Sequence, residues 1–506
     1  MRLNKIPLKT ILFILAPVWA LVLIFFPQIM DPSKPEIAYM AAIAIWMAVW
    51  WMTEVIPLGV TALIPVAFFP LLGIMDGKAV AETYFNHLIF LFMGGFIIAL
   101  AMEKWHLHKR IALRLLLWIG ISPARILLGF MLATAFLSMW ISNTATVMMM
   151  IPILLSIFYK LEEISGGPDV QSIEKGLLLG VAYAASIGGI ATLIGTPPNL
   201  AFVRILKISF PQAPEISFVQ WVYFAFPLSM LLLLIAYFYL YATYFKKKKL
   251  ILSDSEIIIR REYTSLGPMK YEEKWVFSLF VLLALLWLFK QPLHIGSFKM
   301  PGWVEIFSHP RWIKDGNIAI LVSILLFIIP AKNSSRSKFL MDWKSAERIP
   351  WNIILLFGGG FALAAGFKTS GLSHFIGMKL NALQTLHPVI VLLVVVTTLT
   401  FLTELTSNTA SAQTFLPILA SLSAAIHINP LFLMIPATIA ASFAFMLPVA
   451  TPPNAIVFGT NKLKISDMAK TGFWMNLIGI LVLTLVSYFY LQYVFDISIS
   501  TLPAWM

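Results

Sequence analysis

Apolar residues run along this chain in blocks of roughly fifteen to thirty, punctuated by short basic or polar stretches, and about twenty apolar residues suffice for a helix to cross a bilayer. The blocks fall at 10–29, 36–55, 58–75, 86–103, 176–204 and 217–245 in the first half, and at 275–289, 317–331, 351–367, 431–460 and 471–495 in the second. Two stretches break the rhythm. From Ile126 to Tyr159 there is no Asp, Glu, Lys or Arg, which is too long for one straight span, and Ser142-Asn143-Thr144 falls near its middle. Two full spans joined by an outer turn would fit, but Arg125 and Lys160 put basic charge at both ends, which suits a re-entrant hairpin better. The stretch from 388 to 426 has the same form around Ser407-Asn408-Thr409. The pattern predicts an all-α polytopic membrane protein with about eleven transmembrane helices and two re-entrant hairpins.

The two polar strings are copies. Ser142-Asn143-Thr144-Ala145-Thr146 and Ser407-Asn408-Thr409-Ala410-Ser411 lie 265 residues apart, and the same offset pairs Gly94-Gly95-Phe96 with Gly359-Gly360-Phe361, Ser138 with Thr403, and Pro152 with Pro417. Each copy has a downstream partner, Gly195-Thr196-Pro197-Pro198-Asn199 or Ala450-Thr451-Pro452-Pro453-Asn454. The organisation read from this is an N-terminal span within 1–35, a first repeat over 36–245 with its hairpin at 126–160, a cytoplasmic linker at 246–274, and a second repeat over 275–506 with its hairpin at 388–426. An odd number of elements per half turns the second copy over, so the repeats are inverted.

Composition excludes a soluble protein: 60% of the 506 residues are hydrophobic and 12% charged. No cysteine is present, which removes disulfides, thiolate metal sites and a cysteine nucleophile. A net charge of +13 would suggest nucleic acid in a soluble chain, but 26 of the 36 lysines and arginines fall in the segments that the topology places inside, as the positive-inside rule requires. No nucleic-acid partner is expected; the partner is the lipid bilayer of the cell membrane, with the N-terminus cytoplasmic and the C-terminus outside. Residues 10–29 follow Arg2, Lys5 and Lys9 as a signal peptide would, but no convincing cleavage site follows, and they are read as a retained span.

The Thr-Pro-Pro-Asn strings demand breaks in helices. Proline lacks the backbone donor, clashes with the carbonyl four residues back and biases its predecessor away from helix. Irregular backbone at membrane depth is tolerated where protein buries it or a polar cavity faces it, so a pair of such breaks in corresponding positions points to a binding site more than to simple kinks. Ser, Asn and Thr at a hairpin tip offer neutral oxygens and amide donors, and a helix beginning just beyond turns its positive end to the same place; the same residues can also serve as glue between helices. The chemistry suits an anion beside small hard cations. No Lys or Arg lies within 126–159, 176–203 or 380–461, so a dianion would depend on co-bound cations to offset its burial.

Glu404 is the one acidic residue inside either hairpin, a proton site or cation ligand on one reading and a local cap on the other; its repeat counterpart is Met139. His387 and His427 flank the second hairpin and are read as solvated. Glu54, before the proline break of Trp51-Met52-Thr53-Glu54-Val55-Ile56-Pro57, is read as structural.

At these residues the chain resembles the divalent anion:sodium symporter family of di- and tricarboxylate and sulfate transporters. The resemblance runs from Trp50-Trp51-Met52-Thr53-Glu54-Val55-Ile56-Pro57 to the last Thr-Pro-Pro-Asn string and includes both Ser-Asn-Thr copies and the Gly-Gly-Phe pairs. It implies a homodimer whose protomers each hold a scaffold and a transport domain working as an elevator. It also implies two sodium sites, one at Ser138, Ser142, Asn143 and Gly195 and its counterpart at Thr403, Thr406, Asn408 and Ala450. Thr406 stands where some relatives carry a small apolar residue, and there only the backbone oxygen is expected to ligate. Substrate carboxylates are implied to contact Ser142, Asn143, Thr144, Thr196 and Pro197 in the first half. In the second half the implied contacts are Ser407, Asn408, Thr409, Thr451 and Pro452.

The reading is a secondary transporter and not an enzyme: sodium-coupled import of a C4-dicarboxylate such as succinate, malate or fumarate. A sodium-independent dicarboxylate exchanger on the same fold is the alternative, with sulfate or citrate as other substrates. An intramembrane hydrolase would need paired intramembrane aspartates or an HExxH string, and neither occurs. A dead-end pair of opposed hairpins suits occlusion better than the continuous pore of a channel.

Overall fold

The computed structural model describes residues 8–120, 122–165, 167–246, 253–295, 298–332, 337–499 and 501–506. Arg2 and Lys5 lie outside these, as does part of the linker. In the first half the helices are α1 (Leu8–Phe25), α2 (Pro35–Thr53), α3 (Leu58–Thr61), α4 (Ile64–Leu71), α5 (Gly77–Tyr84), α6 (His87–Lys104), α7 (Leu107–Ile119), α8 (Pro123–Ser138), α9 (Asn143–Ser165), α10 (Pro168–Gly189), α11 (Pro197–Ser209) and α12 (Phe218–Leu240). The linker holds α13 (Ser253–Ser265). The second half follows with α14 (Tyr271–Leu288), α15 (Asp315–Ile328), α16 (Trp343–Ala346), α17 (Trp351–Thr369), α18 (Leu372–Leu380), α19 (Pro388–Thr403), α20 (Asn408–Ala425), α21 (Pro430–Ala440), α22 (Pro452–Phe458), α23 (Ile465–Val486) and α24 (Gln492–Phe495). A two-stranded antiparallel ladder, β1 (Leu293–Ile295) with β2 (Phe298–Met300), lies between α14 and α15, and an isolated antiparallel bridge pairs Pro330 with Phe339.

Among the described residues, six helical stretches are long and apolar enough to cross a membrane unaided, and several shorter apolar helices accompany them. The sequence blocks at 58–75, 176–204 and 431–460 are not single helices. Residues 62–63 separate α3 from α4, 190–196 separate α10 from α11, and 441–451 separate α21 from α22. In each of the last two cases tandem prolines open the following helix at its first two positions, where missing N–H groups cost no intrahelical bond. The first helix pair also outruns the uncharged stretch, because α9 continues through Lys160 and Glu162 to Ser165. After α12 and again after α23 the helix widens into a π turn, at Tyr241–Phe245 and Ser487–Leu491.

The halves are woven together. Helix α6 packs on α15 of the other half, α17 on α3 and α5, α9 on α22, and α11 on α20. Glycines permit close approaches here: a Cβ on Gly94 would lie 2.6 Å from the Cβ of Ala319, and one on Gly359 would lie 2.7 Å from the Cβ of Ala62. Ser323 Oγ donates to Gly94 O at 3.0 Å across the first contact. The linker is tied down by the buried Arg110, whose guanidinium donates to Glu273 and to Gly267 O at 2.9 Å.

One end of the molecule is cross-linked. Lys314 Nζ meets Glu215 Oε1 at 2.5 Å, Asp315 takes Lys290 Nζ at 2.6 Å on one oxygen and the Phe218 N–H at 3.2 Å on the other, and α11 packs on α17. The corresponding α22 and α6 show no comparable packing among the described residues.

Candidate functional site

Each polar string sits where a helix pair turns. Helix α8 ends at Met139 and α19 at Glu404 with the same backbone geometry, φ −64° and ψ −25°, and Asn143 and Asn408 open the returning helices. Behind each tip a hydroxyl from the end of the incoming helix meets the asparagine. Ser138 Oγ lies 2.5 Å from Asn143 Oδ1 and 2.7 Å from Ala185 O; Thr403 Oγ1 lies 2.7 Å from Asn408 Oδ1 and 2.9 Å from Ala441 O. A hydroxyl has one proton to give, so in each cluster one oxygen pair is held close without a hydrogen between them. Such sets of neutral oxygens suit a hard cation.

The first cluster is extended by the break after α10. A Cβ on Gly189 would lie 2.6 Å from Asn143 Oδ1, and one on Gly195 would lie 2.4 Å from Gly189 O and 3.0 Å from Ser138 O. Side chains larger than hydrogen at these two positions would therefore occupy the space where the oxygens converge. Thr192 Oγ1 secures the arrangement by donating to Met139 O at 2.5 Å while accepting from the Gly195 N–H at 3.0 Å.

In the second half the corresponding work falls to Glu404. Its carboxylate accepts from the N–H groups of Phe445, Met446 and Leu447 at 2.7, 2.9 and 3.0 Å, and from Asn476 Nδ2 of α23 at 2.7 Å. All four partners are donors, so the Glu404 carboxylate caps the irregular strand 441–451, and Glu404 does not line the cavity. Thr406 turns its hydroxyl to Ser411 Oγ at 2.5 Å and Leu402 O at 3.3 Å.

Both tips and both breaks border one cavity of about 890 Å³. Ser142, Asn143, Thr144, Gly195, Thr196 and Pro197 line it from the first half. Thr406, Ser407, Asn408, Thr409, Ala450, Thr451 and Pro452 line it from the second. Ser138 and Thr403 are fully buried behind the wall and reach it only through their asparagines. Sequence reasoning missed other lining residues, among them Lys9, Phe96, Leu405 and Val449. Glu54, read as structural, has the left-handed backbone, φ 47°, that turns the chain at the end of α2, and it also borders the cavity. His387 caps α19 by accepting from the Val389 N–H at 3.4 Å, and His427 lies 3.2 Å from Gln384 Nε2, both exposed.

Fold and cavity together define a polytopic helical membrane protein whose cavity is lined by matched segments of its two halves. The chain belongs to the sodium:sulfate symporter transmembrane family, which it matches over residues 6–497. It is 45% identical over 494 residues to the sodium-dependent dicarboxylate transporter SdcS of Staphylococcus aureus, covering 96% of this chain and 92% of that one. The protein of the same name from Staphylococcus saprophyticus is 43% identical over 476 residues, covering 93% and 89%. More distant solved structures share the fold. One is MtrF of Neisseria gonorrhoeae, of a class of antimetabolite efflux pumps, with TM-score 0.57, 12% identity and 96% of both chains covered. Another is the YdaH transporter of Alcanivorax borkumensis, with TM-score 0.56, 13% identity, and 95% and 98% covered.

Proposed function

We propose that the protein is a secondary transporter that imports C4-dicarboxylates such as succinate, malate or fumarate with sodium. The observation that carries this reading is the convergence of both Ser-Asn-Thr tips and both Thr-Pro breaks on one cavity, with a neutral oxygen cluster behind each tip. One sodium ion is assigned to Ser138, Ser142, Asn143 and Gly195, and a second to Thr403, Thr406, Asn408 and Ala450. The dianion docks between the tips on Ser142, Asn143, Thr144, Thr196 and Pro197, and on Ser407, Asn408, Thr409, Thr451 and Pro452. The names of the staphylococcal relatives support both the substrate class and the cation.

The physics couples the two solutes. Burying two negative charges costs several kcal/mol each even after relaxation, and the hairpins and breaks supply no fixed cation, leaving Lys9 of α1 as the basic residue on the cavity wall. Sodium bound behind the tips offsets that cost, so the anion binds well only once the cations are in place. Net positive charge moving inward gains about 2.3 kcal/mol per charge per 100 mV, which favours accumulation when cations outnumber the substrate's charges.

The matched elements support two inverted repeats, 36–245 and 275–506, after an N-terminal span and around a cytoplasmic linker. That arrangement gives eleven crossings, two re-entrant hairpins, a cytoplasmic N-terminus and an external C-terminus. In it the hairpins and broken helices ride as a transport domain past a scaffold, in a homodimer, as an elevator. The test is radiolabelled succinate uptake into proteoliposomes with an inward sodium gradient, with potassium replacing sodium, and with succinate preloaded inside. Uptake that needs external sodium and no preload is expected. Uptake that ignores sodium but needs preloading would make the protein an exchanger, and uptake of sulfate or citrate alone would replace the substrate.

A further inference from the structure

The last residue of each Thr-Pro-Pro-Asn string takes no part in the cavity wall, yet it is fully buried in both halves. Asn199 Nδ2 donates to Thr192 O at 2.7 Å and lies 3.4 Å from Gly189 O. Asn454 Nδ2 donates to Leu447 O and Ala444 O, each at 3.0 Å. In both halves the amide reaches back seven and ten residues, from the first turn of the new helix to the irregular strand before it and, at Gly189, to the end of α10. The same turn begins with two prolines, which have no N–H to offer. The asparagine amide therefore supplies side-chain donors to the carbonyls freed by the break.

Those carbonyls matter because of where they stand; in the second half Leu447 O also accepts from the N–H of Ala450 at 3.2 Å. Gly189 O is the oxygen that a Cβ on Gly195 would strike at 2.4 Å, and Gly189 itself faces Asn143 Oδ1. Thr192, the other residue gripped, carries the hydroxyl that joins Met139 O to the Gly195 N–H. The grip also has a cost: Asn199 Oδ1 and Asn454 Oδ1 are both buried without a hydrogen-bond partner, and an orphaned buried oxygen is destabilising. An apolar residue of similar size would avoid that cost, yet asparagine stands at both positions.

We infer that Asn199 and Asn454 are positioning residues for the two cation sites, each holding the carbonyls of its broken helix in the arrangement that receives sodium. This rests on the sodium-coupled reading above. Neither side chain touches the substrate cavity, so the effect falls on cation affinity and reaches the dianion only through it.

The experiment uses full-length protein in proteoliposomes, with Asn199→Leu and Asn454→Leu beside the wild type. Succinate uptake is measured over a sodium series, with thermal unfolding of the same purified proteins in sodium and in potassium. Losing one or two hydrogen bonds that shape a site corresponds to about a tenfold change in affinity. Each variant is expected to raise the sodium concentration for half-maximal uptake by about tenfold or more, to keep most of its maximal rate at saturating sodium, and to lose most of the stabilisation that sodium gives the wild type. A fall in maximal rate with an unshifted sodium requirement in both variants would overturn the inference, since it would leave only a structural role. Should a leucine variant fail to fold, Asn199→Ser and Asn454→Ser keep a shorter donor and are expected to shift the sodium requirement in the same direction by less; no shift there would also overturn it. Wild-type uptake indifferent to sodium would defeat the sodium reading itself and this inference with it, whereas a sodium-dependent wild type with unshifted variants defeats the inference alone.

Discussion

The two hairpins reach one geometry by different chemistry. At Met139 and Glu404 the backbone takes the same turn, and behind each tip a hydroxyl, an asparagine oxygen and a helix carbonyl meet at nearly the same distances. The irregular strand beside the first tip is held by neutral groups, with Thr192 bridging Met139 O and Gly195. The strand beside the second is held by a carboxylate that gathers three backbone N–H groups and Asn476. Charge-assisted bonds are roughly twice as strong as neutral ones, so the second tip is the more firmly fixed and the first the more yielding. What the duplication preserves is the placement of oxygens around the cavity; the means of holding them is free to diverge.

The comparison can be broken most sharply at the tips. Asn143→Ala and Asn408→Ala remove the oxygen that joins each cluster to the cavity, and each is expected to lower succinate uptake by about 100-fold or more, since hydrogen bonds to charged groups contribute about 1.5–3 kcal/mol apiece. Uptake at the wild-type level in either variant would take that asparagine out of the site. The asymmetric pair comes next. Glu404→Gln turns an amide toward N–H donors and leaves at least one of them unmatched at about 1–3 kcal/mol, so uptake should fall about tenfold, while Met139→Leu stays within about twofold. Equal, small effects would mean that the two tips are held equally well without the carboxylate.

Gly94→Ala and Gly359→Ala probe what the halves share. Each new Cβ meets a neighbouring alanine at 2.6–2.7 Å, and overpacking of this kind costs about 1–3 kcal/mol. Both variants should therefore unfold at lower temperature by similar amounts; a fall in only one would show that the matched contacts are unequal. The smallest effect is expected at the cross-linked end. Burial alone would raise the Glu215 carboxyl, but the hydrogen bond and charge of Lys314, with His87 and Lys207 nearby, bring it below its ordinary value of 4.5. A depressed carboxyl stabilises fully above its unfolded value and loses that contribution as the pH falls through the lowered one. The Lys314–Glu215 tie should thus hold unchanged from about pH 8 to about pH 5.5, and Lys314→Gln should alter maximal uptake by no more than about threefold without moving the sodium requirement, as expected for an exposed pair. A steep change within that range would assign the titration to another group.

The paired strings at a fixed offset were legible because a duplicated site leaves a duplicated sequence. Ser138 and Thr403 could be matched before their asparagine contacts were known, and the tandem prolines marked both breaks. The partners of Glu404 were not legible: Asn476 lies 72 residues away, and the three N–H groups are free only because the strand 441–451 is irregular, a property fixed by packing and not by periodicity. Asn199 and Asn454 carried a usable signal, since both copies of the string end in asparagine, but a polar residue after two prolines reads as an ordinary helix start. Glu54 and Lys9 reach the cavity through the docking of α2 and α1, where Phe13 stacks on Trp50 at 5.4 Å, and no spacing rule joins residues 9 and 54 to residue 143. The helix bounds slipped where polar ends prolong a helix past its apolar stretch, as in α9.

The exchange of helices between halves has a consequence for how the chain is made. Gly94 is inserted long before its partner exists, because Ser323, whose hydroxyl it receives, follows 229 residues later. At synthesis rates of about 5–20 residues per second, that interval is roughly 10 to 45 s. Throughout it the first Ser-Asn-Thr tip stands in the membrane without α22, and the face that α15 will cover stays open. The nascent first half thus waits for the second with the α6 face around Gly94, later covered by Ala319 and Ser323, still uncovered.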